Sequence, residues 1–359
     1  MSTIYMLSDY GKLGKRDETL VFSQPDGNTT ILFPYKTQQL ILMGNISISG
    51  EALRLLAKYE IPTVLLSSNG RFNGKLTFGD GKNVFLRQKQ YAILGNEKQS
   101  LEIAKSIVIG KIKNQLSFVQ RIKRKSDDKL ADKKIQLEVY KLKSYLVDCE
   151  EADSVEKLRG LEGISARSYF SVLGLNILPE WADFPYRSKN PPRSNVNAVL
   201  SFLYTLLMYR VEGAITSQGL DCCCGNLHVL NYGKSALVFD LMEEYRVPIA
   251  DTVCCSLFNL GILKEDDFEE VDFSKDSVDF PLESEFTNET NVEKSTGILL
   301  TKPGLKKVIA AFEDKINSSV FYPPAEDKKS YIRIIYEQAA HYKRVISGEE
   351  TTYKPYFFK

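Results

Sequence analysis

Leu101-Glu-Ile-Ala-Lys-Ser-Ile-Val-Ile-Gly-Lys-Ile-Lys-Asn-Gln-Leu-Ser-Phe-Val-Gln-Arg-Ile122 is the stretch whose reading decides the fold. Leu101, Ala104, Val108, Ile112, Leu116, Val119 and Ile122 recur at steps of three and four, the spacing that lines one face of an α-helix. A long amphipathic helix follows, running into the basic cluster Arg121-Ile-Lys-Arg-Lys125 and then Asp127 and Asp128. That cluster reads as a solvated helix end or as a phosphate contact.

Before about Tyr91 the pattern is different. Short apolar runs at Thr3–Leu7, Thr19–Phe22, Thr30–Phe33 and Gln39–Met43 are separated by turn formers such as Pro25-Asp-Gly27 and Gly79-Asp-Gly81. One helix interrupts them: Ser49 is its expected N-cap, Glu51–Glu60 its body, and Leu53, Leu55, Leu56 and Ala57 its buried side. Pro62 then marks the next strand, Thr63–Leu66. The expectation is a mostly antiparallel sheet or sandwich with one inserted helix.

After the long helix, helical spacing returns around Ile135–Leu146, Ser165–Leu173, Val196–Ile215, Ala236–Tyr245, Asp251–Leu260 and Ser330–Ile346, before an aromatic and basic tail, Tyr353–Lys359. The chain therefore reads as α+β: an amino-terminal β-rich domain over residues 1–91 and an α-helical domain over 92–359. A length of 359 residues with 43% hydrophobic and 26% charged residues suits two cored domains and excludes fibrous and wholly disordered classes.

The longest apolar run, Ala198–Tyr209, ends at Arg210, short of the ~20 residues of a bilayer span. Met1–Tyr10 has neither a basic leader nor an apolar signal core, so a cytoplasmic protein with no membrane association is expected. Six cysteines (Cys149, the run Cys222, Cys223, Cys224, and the pair Cys254, Cys255) lack zinc-site spacing and read as small buried hydrophobes.

A formal net charge of +1 conceals an uneven distribution. Lys264–Lys294 holds twelve carboxylates against three lysines, a net −9, which leaves +10 on the rest of the chain. The segment reads as a solvated acidic loop, and the remainder as a body able to attract polyphosphate.

Only two histidines are present, His228 and His341. His341 lies inside the last expected helix and reads as a surface or interface residue. His228 follows Gly225-Asn-Leu and precedes the acidic segment Asp240-Leu-Met-Glu-Glu-Tyr-Arg246, where helical spacing places Asp240 and Glu243 on one face with Glu244 at its edge. Glu162 stands in Gly160-Leu-Glu-Gly163, before a helix carrying Tyr169 and Phe170. Between them lies Pro185-Tyr-Arg-Ser-Lys-Asn-Pro-Pro-Arg193, whose Arg187, Lys189 and Arg193 are candidates for phosphate, with Arg246 more suited to pairing the acidic helix. Two or three carboxylates and one imidazole suit Mg²⁺ or Mn²⁺, and the chemistry such a site favours is phosphodiester cleavage or transfer.

The ordered set Leu161-Glu-Gly-Ile-Ser-Ala166 with Tyr169-Phe170, Asn195–Tyr204, Gly219-Leu-Asp221, Gly225-Asn-Leu-His228, Asp240–Arg246 and Ala250-Asp251 resembles the CRISPR-associated protein one family, the integrase of spacer acquisition. Gly44–Ser49, Leu65–Gly70 and Arg87–Gln90 extend the resemblance into the amino-terminal domain. The resemblance implies a metal-dependent DNA enzyme with metal ligands at Glu162, His228 and Glu243 and a further acidic residue at Asp240. It also implies a homodimer formed through the β-domains, two such dimers flanking a dimer of the small CRISPR-associated protein two, and joining of the 3′ hydroxyl ends of a captured duplex to the CRISPR repeat by transesterification. The triple cysteine and the long acidic segment depart from the family pattern. Two other readings stand beside it: a metal-dependent repair or defence nuclease that cuts without joining, and a non-catalytic DNA-binding scaffold.

Overall fold

The computed structural model describes residues 2–78, 83–125, 129–189, 191–272 and 296–357, with the backbone alone at 123–125. The expected turn at 79–81, the basic side chains of 123–125 and residues 273–294 of the acidic segment lie outside the described residues. The fold is α+β, and the chain divides into two compact units: residues 1–82 with 266–306, and residues 83–265 with 307–359.

In the first unit, β1 (Ser2–Arg16), β2 (Thr19–Ser23), β3 (Thr29–Leu32), β4 (Thr37–Ile48), β5 (Thr63–Leu66) and β6 (Phe72–Leu76) form one sheet in the order β3-β2-β1-β4-β5-β6. It is mixed rather than mostly antiparallel, because β4 runs parallel to both β1 and β5. Helix α1 (Gly50–Lys58) is the reason for the second pairing, since a helical crossover returns the chain to start β5 in the same direction as β4. Ser49 caps α1 as expected, its hydroxyl accepting from the Ala52 N–H at 3.2 Å. The buried side of α1 is Ala52, Leu55 and Leu56, while Leu53 is exposed; the three pack on Leu13, Leu20, Phe22, Leu40 and Leu42. Gly44 has φ +109°, and a Cβ there would lie 1.9 Å from the Ser8 carbonyl oxygen, where the β1–β4 register slips between Leu7 and Tyr10.

The second unit begins at Asn83, not near Tyr91. Helix α2 (Val84–Leu94) belongs to it and buries Leu86 and Gln90; the Gln90 amide oxygen accepts from the Asp221 N–H and its amide donates to the Asp221 carbonyl, in the turn after α6. Then come α3 (Glu97–Lys125), α4 (Lys129–Glu150), α5 (Val155–Leu173), α6 (Asn195–Ser217), α7 (Ala236–Met242), a π-helical turn over Arg246–Asp251, and α8 (Thr252–Asn259). The acidic segment is not wholly loop. Its start forms β7 (Phe268–Asp272), antiparallel to β8 (Thr296–Leu300) within the first unit. Helix α9 (Lys302–Asn317), a hairpin of β9 (Ser319–Tyr322) and β10 (Asp327–Ser330), and α10 (Tyr331–Ser347) follow.

Helix α6 extends well beyond the run Ala198–Tyr209 and is long and apolar enough, by length and composition, to cross a membrane; 78% of its most apolar window is buried inside the protein. Arg210 within it is buried and ion-paired with Glu313 of α9. All six cysteines are free thiols. Four are buried, but Cys223 is exposed and Cys222 partly so, because the run sits in the turn after α6 rather than in a helix.

Candidate active site

Each acid of Asp240, Glu243 and Glu244 is buried, and each has a different set of partners. Asp240 is on α7. Its Oδ2 accepts from the backbone N–H groups of Asn226 and Leu227 at 2.5 and 3.0 Å, and its Oδ1 from the N–H of His228 at 3.0 Å. The same Oδ1 lies 2.7 Å from the His228 ring Nδ1. One carboxylate therefore fixes the loop 226–228 and the imidazole together. Gly225 makes the approach possible: a Cβ there would lie 2.6 Å from the Ala236 carbonyl carbon at the start of α7. The loop is tied further by Ser100 Oγ to Asn226 Oδ1 at 3.1 Å, Asn226 Nδ2 to the Tyr342 hydroxyl at 2.7 Å, and Arg159 Nε to the Leu227 carbonyl at 2.6 Å.

Glu243 caps the C-terminus of α7 and faces Lys111 of α3, with Nζ 2.7 Å from Oε2, and Arg246, whose Nε donates to Oε1 at 3.0 Å. Lys111 Nζ also bonds Glu162 Oε1. Glu162 does not precede the helix that carries Tyr169 and Phe170 but lies within it. Helix α5 starts at Val155, capped by Ser154, so Gly160 and Gly163 are helical and Glu162 is one of its buried residues. The His228 Nε2 lies 4.0 Å from Glu243 Oε1. Glu162 and Glu243 thus converge on the Lys111 ammonium within the second unit, with His228 beside Glu243 and Asp240 behind His228.

The local field follows from these contacts. Burial opposes a charged lysine, yet Glu162 and Glu243 outweigh it and hold the Lys111 pKa raised. Burial likewise opposes ionisation of Glu243, but Arg246, Lys111 and His228 hold its carboxyl well below the usual range. For His228, burial works to lower the pKa, and the Asp240 bond and charge, with Glu243 and Glu162 behind, raise it.

Glu244 turns the other way, to the chain's C-terminal segment. It accepts from the Tyr353 hydroxyl, from the Tyr356 N–H at 2.7 Å and from Gln338 Nε2 at 3.0 Å, and burial pushes its pKa up to about 7. Asn114 Nδ2 bridges the carbonyls of Glu244 and Tyr356 at 2.9 and 3.1 Å. His341 is a buried residue of this assembly rather than a surface one: Nδ1 pairs with Glu350 at 2.6 Å, Nε2 accepts the Lys354 N–H at 2.9 Å, and the ring stacks on Tyr353. Asp251 accepts from the Tyr169 and Tyr204 hydroxyls, each at 2.7 Å, and the Tyr204 ring carries the Arg246 guanidinium 4.5 Å from its centre.

The three basic candidates separate. The Arg187 guanidinium donates to the Ser188 carbonyl (2.6 Å), Asn197 Oδ1 (3.0 Å) and Ser201 Oγ (3.1 Å), so it braces the segment before α6. Arg193 is exposed, and Lys189 partly so.

Sequence reasoning missed Lys111. The series Ala104, Ile107, Lys111, Asn114, Phe118 is buried throughout at steps of three and four, so two polar residues on the apolar face of α3 were the available signal.

Two carboxylates directed at one ammonium, with an imidazole beside them, form a donor set of the hard and borderline type that holds Mg²⁺ or Mn²⁺. The buried Glu243 Oε2 is held by the Lys111 ammonium at 2.7 Å. Among the described residues no three His, Cys, Asp or Glu side chains are arranged to hold a metal as they stand, because the ammonium lies between the two glutamates. In kind and number the residues suit a divalent ion.

The family model described as CRISPR associated protein Cas1 matches residues 4–275. The chain is 30% identical over 358 residues to CRISPR-associated endonuclease Cas1 3 of Thermus thermophilus, covering 99% of this chain and 97% of that relative. Its fold is similar to a chain of a Cas6-RT-Cas1–Cas2 complex (TM-score 0.81, 22% identity, 99% of this chain and 36% of that longer one). It is also similar to a casposase bound to integration product (TM-score 0.80, 20% identity, 99% and 93%).

Proposed function

The chain belongs to the Cas1 family of CRISPR-associated endonucleases and integrases, and from that premise we propose that it joins the 3′ hydroxyl ends of short duplex DNA to a CRISPR repeat by metal-dependent transesterification. The convergence of Glu162 and Glu243 on one buried ammonium, beside an imidazole held by Asp240, carries this reading.

Glu162, Glu243 and His228 would hold Mg²⁺ or Mn²⁺, which supplies polarisation of a phosphoryl oxygen and activation of the attacking hydroxyl. Asp240 orients the imidazole through Nδ1, so that Nε2 is the nitrogen turned toward Glu243. Arg246, seated on the Tyr204 ring and bonded to Glu243, keeps a permanent positive charge beside the place where negative charge grows in the transition state. Lys189 and Arg193, the more accessible of the three basic candidates, contact DNA phosphates. In the step itself the incoming 3′ oxygen forms a new bond to phosphorus as the repeat's own P–O3′ bond breaks. The hydroxyl proton of the incoming end is given up and the departing 3′ oxygen takes one, so the number of phosphodiester bonds is unchanged.

The partners that support this reading are duplex DNA and a small Cas2-type protein, since structural relatives are described as a Cas1–Cas2 complex and as a casposase on integration product. A homodimer through the β-rich unit, two such dimers on one partner dimer, and a cytoplasmic location complete it.

The test is a joining assay with a 3′ hydroxyl duplex, a supercoiled repeat-bearing plasmid and the cognate partner. Wild type is expected to give covalent strand transfer with Mg²⁺ or Mn²⁺ and none with chelator, and E162Q and H228A to lose transfer while still binding DNA. Nicks without covalent transfer would identify a nuclease that only cuts. Activity unchanged in E162Q and H228A would identify a scaffold.

A further inference from the structure

Lys111 occupies the position from which a cation faces both glutamates. Its side chain is 8% exposed, it rises from the middle of α3 among Ile107, Val108 and Ile112, and its Nζ bonds Glu162 and lies 2.7 Å from Glu243 Oε2. A lysine buried this deeply is stable only with its charge answered, and here two acids from different helices answer it.

Formal charge shows what a divalent ion would require. Glu162, Asp240 and Glu243 contribute three negative charges, and Lys111 and Arg246 two positive ones, so with His228 neutral the pocket stands at about −1. A divalent ion added beside Lys111 leaves about +1 in a buried site, whereas one that replaces Lys111 leaves about zero. A divalent ion held by Glu162 and Glu243 would compete with the ammonium for the same carboxylate oxygens.

We propose that Lys111 is a built-in surrogate cation that holds Glu162 and Glu243 together in the metal-free protein and yields its seat to the divalent ion. This rests on the metal-dependent reading of the site. Its consequence is that the ion must displace a tethered competitor, so Lys111 sets the metal concentration at which the site loads. The same pairing keeps the two acids from repelling each other before loading.

The experiment titrates chelator-treated full-length wild type, K111M and E162Q with Mn²⁺ by calorimetry and follows melting temperature in parallel. K111M is expected to melt below wild type without metal, to bind Mn²⁺ about tenfold or more tightly than wild type, and to gain more in melting temperature from it. Equal or weaker Mn²⁺ binding by K111M, with binding abolished by E162Q, overturns the surrogate role while the metal site stands. No Mn²⁺ binding by wild type or K111M overturns both. Amine acetylation of wild type read by mass spectrometry decides the matter should K111M fail to fold. Lys111 labelling is expected to rise several-fold once Mn²⁺ saturates the protein, and labelling that stays at the metal-free rate overturns the proposal.

Discussion

Asp240 binds His228 twice through one oxygen: Oδ1 accepts the backbone N–H at 3.0 Å and meets the ring Nδ1 at 2.7 Å. With Oδ2 accepting from Asn226 and Leu227, no lone pair can be turned into a donor without setting donor against donor. D240N, which places an NH₂ at one of these positions, is expected to lose about 3 kcal/mol of stability. It should also lose joining activity while Glu162, His228 and Glu243 are all still present. Urea unfolding together with the joining assay checks this, and a D240N protein as stable as wild type would remove Asp240 from its orienting role.

Arg187 and Arg193 lie six positions apart in a basic segment and have different surroundings. R187A breaks the bonds to Ser188, Asn197 and Ser201 and should cost about 2 kcal/mol of stability. R193A should stay within about 0.5 kcal/mol of wild type, but weaken duplex binding and reduce the slope of log affinity against log salt by about 1. Urea unfolding and anisotropy titrations at several KCl concentrations separate the two, and equal effects on DNA binding at equal stability would refute the distinction.

Asp251 gives a pH dependence. Burial raises its carboxyl to about 6 from 3.8, against the Tyr204 and Tyr169 hydroxyls and the Arg246 and Arg187 charges. A carboxyl raised on folding binds its proton more tightly in the folded state, so the stability it contributes is present below about 3.8 and is lost as pH rises through about 6. D251N removes that dependence. Its unfolding free energy relative to wild type is expected to rise by about 3 kcal/mol between the acid and neutral ends of this window. Urea unfolding of both proteins across the window measures the difference, and a flat or falling difference would refute the assignment.

Tyr353 donates to the buried Glu244, whose neighbour Glu243 faces Lys111. Y353F removes that donor and should cost about 2 kcal/mol. Joining should fall along with stability, because the C-terminal end of α7 is held from both sides. Melting temperature and joining rate are the measurements; a variant with unchanged melting temperature would show that the tail does not brace the site.

Local features were legible in the sequence. Ser49 as an N-cap, the β-strand runs and the helical stripe of α3 depend on neighbours within a few positions. The parallel pairing of β4 with β1 and β5 was not, because it is set by where α1 and the β2–β3 hairpin deliver the chain. Glu162 was expected just ahead of a helix, but Ser154 starts that helix earlier and the stripe Leu158, Leu161, Ser165, Tyr169 carries it through the flanking glycines. The family resemblance, carried by ordered motifs along the chain, pointed to Glu162, His228, Asp240 and Glu243. It did not reveal that Glu244, next in line, turns its back on them, since that depends on Tyr353 and Tyr356 more than a hundred positions away. Lys111 was hidden for a related reason: a lysine reads as solvent-facing until the acids that surround it are known.

The bond between Glu244 and Tyr353 spans 109 positions of chain. During synthesis on the ribosome, Glu244 is therefore made long before the hydroxyl that satisfies it, and the rear support of the neighbouring glutamate arrives only after the intervening helices have been translated. The rear bracing of the acid pocket, like the Tyr342 tie on Asn226, therefore waits on residues translated more than a hundred positions later.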